Sequence, residues 1–223
     1  KHDELSIQDE MLKAEEEKEL RFGATRTVGD ALMGNILERY LRKYPEARIH
    51  MEVDNTRELL LRLDEGEIDF ALVEGFFKKS EYESQVYSVE NYIAVCSPDY
   101  QFREEPVSVE DLFQERLLLR EEGSGTREVL ERYLSAKNLS LGDFRKVMEA
   151  GSLQTIKELT KAGCGITFLY EVAVRRELAD GVLKRIPLED FHISHEFAFI
   201  WRRGSIYADR YRELFRRFSP AGI

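Results

Sequence analysis

The chain is poor in the residues that metal centres, disulfide frameworks and many catalytic motifs require. Among 223 residues there are two cysteines, Cys96 and Cys164, and four histidines. The cysteines have no metal-type or redox-type spacing, and unpaired thiols suit a reduced, cytoplasmic setting. His192 and His195 stand three apart, but two imidazoles without further ligands rarely hold a metal, so no metal is expected. No apolar run reaches the roughly 18 residues of a membrane span, and no membrane partner is expected. Residues 1–20 lack the apolar stretch of a signal peptide. There is no Gly-x-Ser-x-Gly elbow, no His-Glu-x-x-His and no Rossmann glycine fingerprint, so neither an enzyme nor a bound cofactor is expected.

Positive charge is also short. The net charge is −10, whereas a domain that grips a phosphate backbone presents a basic face. Direct contact between this chain and DNA is therefore not expected. Half of the deficit lies in residues 1–20, which hold eight acids against three bases. The remaining body is only mildly acidic and leaves room for a local positive site. The acids Asp64-Glu65 and Glu121-Glu122 read as exposed; Glu74, just after a strand, could meet a ligand but reads first as a solvated loop acid. Phe76, Phe77, Phe168 and Trp201 read as core or cleft wall.

A hydrophobic content of 43% is enough for a real core. Residues 4–19 read as a charged helix with too thin an apolar stripe to pack. From residue 20 the pattern alternates. A strand at 20–24 precedes a helix in which Val28, Leu32, Ile36, Tyr40 and Tyr44 recur every four residues, stopped by Pro45. Ile49, Met51 and Val53 mark a strand. Asn55 and Glu58 form a capping-box signature for the helix of Leu59, Leu60 and Leu63, and 68–73 is a buried strand. Strand candidates follow at 84–88 and 92–96. The alternation then restarts, with strands at 116–119, 146–149, 166–169, 182–186 and 196–201 and helices at 126–137, 153–161, 170–179 and 207–218. Alternation of this kind implies parallel sheets with crossover helices, here arranged as two α/β lobes.

Parallel sheets bind ligands at the carboxyl ends of their strands, where helix N-termini leave backbone N–H groups free. Four such turns are rich in hydroxyls and small residues. They are Ala24-Thr25-Arg26-Thr27, Asn55-Thr56, Gly123-Ser124-Gly125-Thr126-Arg127 and Gly151-Ser152-Leu153-Gln154-Thr155. If the lobes face each other, all four converge on one cleft suited to a carboxylate or other oxyanion, with Arg26, Arg120 or Arg127 adding charge. The plainer reading is that these residues only cap helices, at about 1 kcal/mol each. Arg26 and Arg127 would then only pair with Asp30 and Glu131.

The order and spacing of several segments resemble LysR-type transcriptional regulators. The run from Leu20 to Thr25 resembles the start of their effector domain. Asn55-Thr56…Leu59…Leu63…Gly66-Glu67-Ile68-Asp69-Phe70-Ala71-Leu72 is similar to a first-lobe signature. The stretch from Arg120 to Arg127, then Ser152…Ile156…Ala162-Gly163-Cys164-Gly165-Ile166, is similar to second-lobe motifs, with Cys164 where the family more often has leucine. Trp201-Arg202-Arg203 resembles the exit strand. The resemblance implies a type 2 periplasmic-binding-protein-like α/β fold, two Rossmann-like lobes joined by two crossover strands near 90–97 and 187–197. It places residues 1–19 at the end of a linker helix, 20–92 with 198–223 in the first lobe, and 93–197 in the second. It further implies a small anionic metabolite as effector, and DNA binding only through an N-terminal winged helix-turn-helix that this sequence does not contain. A homodimer or homotetramer is implied as well, with residues 28–44 and 49–53 facing the partner's second lobe. A solute-binding protein of a transport system and an enzyme on the same fold are the rival expectations.

Overall fold

The computed structural model of the protein describes residues 19–220, so the charged helix expected over 4–19 lies outside the described residues apart from Glu19. The first strand, β1 (Glu19–Thr25), pairs in parallel with β2 (Arg48–Asp54) on one side and β3 (Phe70–Val73) on the other. Helix α1 connects β1 to β2 and runs as Arg26–Val28, a π turn at Gly29–Met33 and Gly34–Lys43. The expected four-residue stripe is displaced within it. A wide i→i+5 turn accommodates one extra residue, so Met33 is buried with Val28, Ile36 and Tyr40, while Leu32 is only half-buried. Helix α2 (Thr56–Asp64) returns the chain to β3. Its cap is half of the expected box: Asn55 accepts from Glu58 N–H at 3.0 Å, but the Asn55 N–H donates to Asp54 rather than to Glu58.

The two strands expected at 84–88 and 92–96 are one strand, β4 (Tyr82–Cys96), irregular between Val86 and Ser88. It pairs antiparallel with β9 (Ile193–Arg202) from Tyr82 to Tyr92. The second unit then repeats the first. Strand β5 (Arg116–Arg120) pairs in parallel with β6 (Lys146–Ala150) and bridges in parallel to Ile166, next to β7 (Thr167–Tyr170). Helices α3 (Gly125–Ala136) and α4 (Leu153–Lys161) are its crossovers, followed by α5 (Glu171–Ala179), the short β8 (Lys184–Arg185) and the closing α6 (Ala208–Phe218). The strand expected over 182–186 is thus reduced to two residues. Each unit has the order second–first–third strand, with an antiparallel fourth from the long ribbon. That fourth strand is β9 beside β3 in the first lobe and β4 beside β7 in the second. The β4–β9 ribbon therefore joins the two lobes. This is the α/β architecture of the type 2 periplasmic-binding-protein-like fold.

The core of the first lobe is aromatic. Phe70 stacks on Phe22 at 4.9 Å and on Phe199 at 4.6 Å, and Phe218 from α6 meets Phe22, Phe70 and Phe199 edge-on. In the second lobe Phe168 sits among Phe144, Phe191 and Tyr92. Phe168 and Trp201 are both buried, in line with their reading as core. These two packed blocks hold the carboxyl ends of β1, β3 and β5 at fixed positions, and there the polar turns gather.

Candidate functional site: a closed cleft between the lobes

At the end of β1, Thr25 occupies the N-cap position of α1 but makes no side-chain cap bond. Its hydroxyl crosses to the end of β3 and donates to Oε2 of Glu74. From the opposite lobe, Thr126 in the first turn of α3 donates to Oε1 of Glu74 at 2.8 Å. Thr27 lies 3.3 Å from the Thr126 hydroxyl, again across the lobes. All three threonines are buried. Capping alone does not account for them, because their hydroxyls meet around one carboxylate.

Glu74 corrects the sequence-based expectation of a solvated loop acid, since it is only 1% exposed. Its residue also anchors the second lobe's floor: Tyr170 donates its hydroxyl to Glu74 C=O at 3.2 Å, and Tyr92 donates to Thr126 C=O at 2.7 Å. Burial pushes the Glu74 carboxyl above its ordinary value, opposed by the hydroxyls of Thr25 and Thr126 and by the charge of Arg120. A carboxyl raised in the folded state keeps a proton that the unfolded chain releases. Stability is then full below the ordinary value near 4.5 and is lost as pH rises through the folded value. Glu74→Gln removes that loss. Calorimetric melting across pH should therefore show the variant gaining on the wild type as pH rises. Melting curves of the two proteins that stay parallel with pH would contradict this account.

Arg120, at the end of β5, is 2% exposed. It grips the adjacent Glu121 through Nη2 at 2.7 Å and Nε at 3.2 Å, which leaves Nη1 buried without a hydrogen-bond partner. A buried unmet guanidinium N–H is costly and marks a place for an acceptor. Arg26 pairs with Asp54 and approaches Glu121 at 3.8 Å, rather than pairing with Asp30. Arg127 is consumed inside the second lobe by Glu131 at 2.9 Å, as the spacing suggests, and also by Glu149 and Arg120 C=O.

The remaining turn residues divide. Thr56 is buried with an unpartnered hydroxyl, pressed between Gly75 and Gly125. A Cβ on Gly125 would stand 2.6 Å from the Gly75 Cα, so the lobes touch backbone to backbone here. Gly123 adopts φ +91°, and its carbonyl accepts from Arg57 N–H across the cleft at 3.3 Å. Asn55, Ser124 and Ser152 all accept bonds at their helix starts, as plain caps do. Ser152 and Gln154 are exposed, Gln154 bonds to Glu158 on its own helix, and Leu153 packs into the core. This fourth turn borders Glu121, which lies 3.7 Å from a Cβ placed on Gly151, and so sits at the rim. Sequence reasoning ranked Glu74 as a solvated acid ahead of a ligand contact, and missed Gly75. Their signal was topological: they follow directly on the fully buried strand β3 of the first lobe.

At the outer edge of the cleft, Phe76 is sandwiched between His195 of β9, at 4.4 Å, and the guanidinium of Arg132 on α3, at 3.8 Å. Phe76 and Phe77 line a groove of about 640 Å³ there, together with Thr56, Arg57, Ser124 and Arg132. The loop following β3 thus ties the lobes at three successive residues, Glu74, Gly75 and Phe76.

Two α/β lobes on one ribbon, closed over buried hydroxyls and an unsatisfied guanidinium, define a ligand-binding domain of the type 2 periplasmic-binding-protein-like class. The chain belongs to the LysR substrate binding domain family, whose model matches residues 13–219. Among curated proteins it is 27% identical over 185 residues to the uncharacterized HTH-type transcriptional regulator YeiE of Escherichia coli K12, covering 83% of this chain and 62% of that protein. It is 27% identical over 175 residues to the uncharacterized HTH-type transcriptional regulator MJ0300 of Methanocaldococcus jannaschii, covering 78% of this chain and 59% of that protein. The chain thus spans about three fifths of the length of these relatives. Among solved structures, the regulatory domain of CcmR from Synechocystis PCC6803, in complex with 2-PG, superposes with a TM-score of 0.77 at 20% identity, over 92% of this chain and 98% of that one. The effector binding domain of QuiR in complex with shikimate gives a TM-score of 0.74 at 11% identity, over 90% and 96%.

Proposed function

We propose that this chain is the effector-binding part of a cytoplasmic LysR-type transcriptional regulator, and that it encloses a small oxyanion or carboxylate between its lobes. The observation that carries the reading is the unpartnered Nη1 of buried Arg120, whose charge acts on the Glu74 carboxyl that Thr25 and Thr126 hold. An anion there would receive a charge-assisted bond from Arg120, and Thr25 and Thr126 would turn their hydroxyls from Glu74 to reach it. The solved structures of CcmR with 2-PG and QuiR with shikimate support the idea that this fold takes small molecules. The effector would bind one interlobe arrangement better than another and so shift their balance. A coupling of about 1–3 kcal/mol is enough to switch a distant DNA-binding domain. DNA contact, dimer or tetramer assembly and the genes controlled belong to the longer protein and are part of the proposal. The regulator reading is preferred over a transport protein because the relatives above are named as transcriptional regulators.

Thermal-shift screening of small carboxylates and inorganic oxyanions, followed by calorimetry, tests the site. Thr126→Val should weaken the tightest ligand by about tenfold, the worth of one buried hydrogen bond. Ser124→Ala should cost about 1 kcal/mol of stability through its cap and leave affinity nearly unchanged. Equal affinity in wild type and Thr126→Val would remove the second-lobe turn from the site.

A further inference from the structure

The hydroxyls expected to receive an effector anion are already turned to a carboxylate of the protein itself. Thr25 holds one oxygen of Glu74 and Thr126 the other. Glu74 is fully enclosed, and the charged group acting directly on it is Arg120 on β5. Tyr92 on β4 and Tyr170 on β7 also act on it, and His195 of β9 meets the backbone of the adjacent Gly75, with burial holding its imidazole below the ordinary value. Both tyrosines stay neutral, because burial drives their hydroxyls well above the ordinary value, and Glu131, Glu128 and Glu90 act on them at longer range. Arg120 in turn is partly neutralised by Glu121. The cleft therefore holds one buried carboxyl, that of Glu74, and two guanidinium nitrogens still without an acceptor, Nη1 of Arg120 and Nε of Arg26.

An oxyanion entering this space meets attraction at Arg120 and repulsion at Glu74. Two like charges in one dry site cannot both persist at close range, so one of them must carry a proton. Resting on the reading that the cleft is the effector site, we propose that it takes up an oxyanion together with one proton, with Glu74 sharing that proton with the ligand. The proton arrives on the ligand, which then donates a hydrogen bond to the Glu74 carboxylate. Alternatively it is drawn from solvent onto Glu74, which then donates to the ligand. Both routes leave the same bound species, with its anionic oxygens on Arg120. The site thereby selects the hydrogen-bearing form of a small oxyacid over a fully ionised anion of the same size and shape. A neutral residue at position 74 would abolish that selection.

Inorganic phosphate and sulfate are suitable probes. They are near-equal tetrahedra, but phosphate keeps a proton at neutral pH and sulfate does not. Calorimetric titration of the wild-type chain above the folded value of Glu74, read from the pH dependence of its melting, and at matched ionic strength is expected to show phosphate binding at least about tenfold tighter than sulfate. Sulfate affinity should fall by about tenfold per pH unit above the folded value of Glu74. In that same range its binding enthalpy, compared in two buffers of different ionisation heat, should report uptake of about one proton. In Glu74→Gln the two anions should bind within about threefold of each other and the pH slope should vanish. The wild-type proton count stands even if the variant folds poorly. Sulfate binding as tightly as phosphate, with no proton taken up, would overturn proton coupling and leave the effector cleft standing. Binding of neither anion to either protein would overturn the oxyanion as ligand. The cleft itself would still be judged separately, by whether any ligand found in screening depends on Thr126.

Discussion

Phe70→Ala is expected to destabilise the domain by about 3–5 kcal/mol, the range for deleting a fully buried aromatic ring. The ring is the middle layer of the stack formed by Phe22 and Phe199, with Phe218 closing its edge. Its removal takes dispersion contacts from both neighbouring strands and from the closing helix at once, and neighbours bound into the sheet by their backbones cannot collapse into the void. Since β1 and β3 carry Thr25 and Glu74 at their ends, the same change should loosen the cleft. Urea denaturation gives the free energy directly. A loss below about 1 kcal/mol would mean that the stack is not the centre of the first lobe.

Arg120→Met should produce the largest change in ligand affinity. Methionine keeps the apolar stem in a similar volume while removing the guanidinium. Loss of a buried charge-assisted contact costs about 2 kcal/mol or more, roughly thirtyfold in affinity for a small oxyanion. Little stability should be lost with it, because Glu121, the partner left behind, keeps about a fifth of its side chain in solvent. Burial of Glu74 would be less compensated, so its carboxyl should rise further and the pH dependence of stability should steepen. Titration of the best oxyanion from a thermal-shift screen checks the first expectation. An affinity change under threefold, with the fold intact, would place the anion elsewhere.

Much of the fold was legible because alternation of strand and helix leaves a strong periodic trace. The boundaries of α4 match the expected 153–161. The misplacements have local causes. The π turn in α1 shifts one residue of its stripe, which no count of four can reveal. The single strand β4 was read as two because its middle, near Val86 and Ser88, is irregular and half exposed as it passes between the lobes. The capping signals were also read well: Asn55, Ser124 and Ser152 cap their helices. Capping chemistry looks the same whether or not a ligand lies beyond it, so Ser152 and Gln154 could not be told apart from Thr25 and Thr126 by residue type. Glu74 was ranked as a solvated acid for the converse reason. A lone acid after a strand is usually solvated, and only the meeting of two lobes, set by contacts between residues about fifty apart in sequence, makes it the centre of the cleft.

The central claim is that the closed cleft around Arg120 and Thr126 is where a small oxyanion binds. A crystal structure of the chain grown with the oxyanion that stabilises it most tests this directly. The account predicts density for the anion within hydrogen-bond distance of Arg120 Nη1 and the Thr126 hydroxyl, with the Glu74 side chain beside it. Density for the anion only in the outer groove beside Phe76 and Arg132, or on the second lobe between residues 185 and 194, would contradict it.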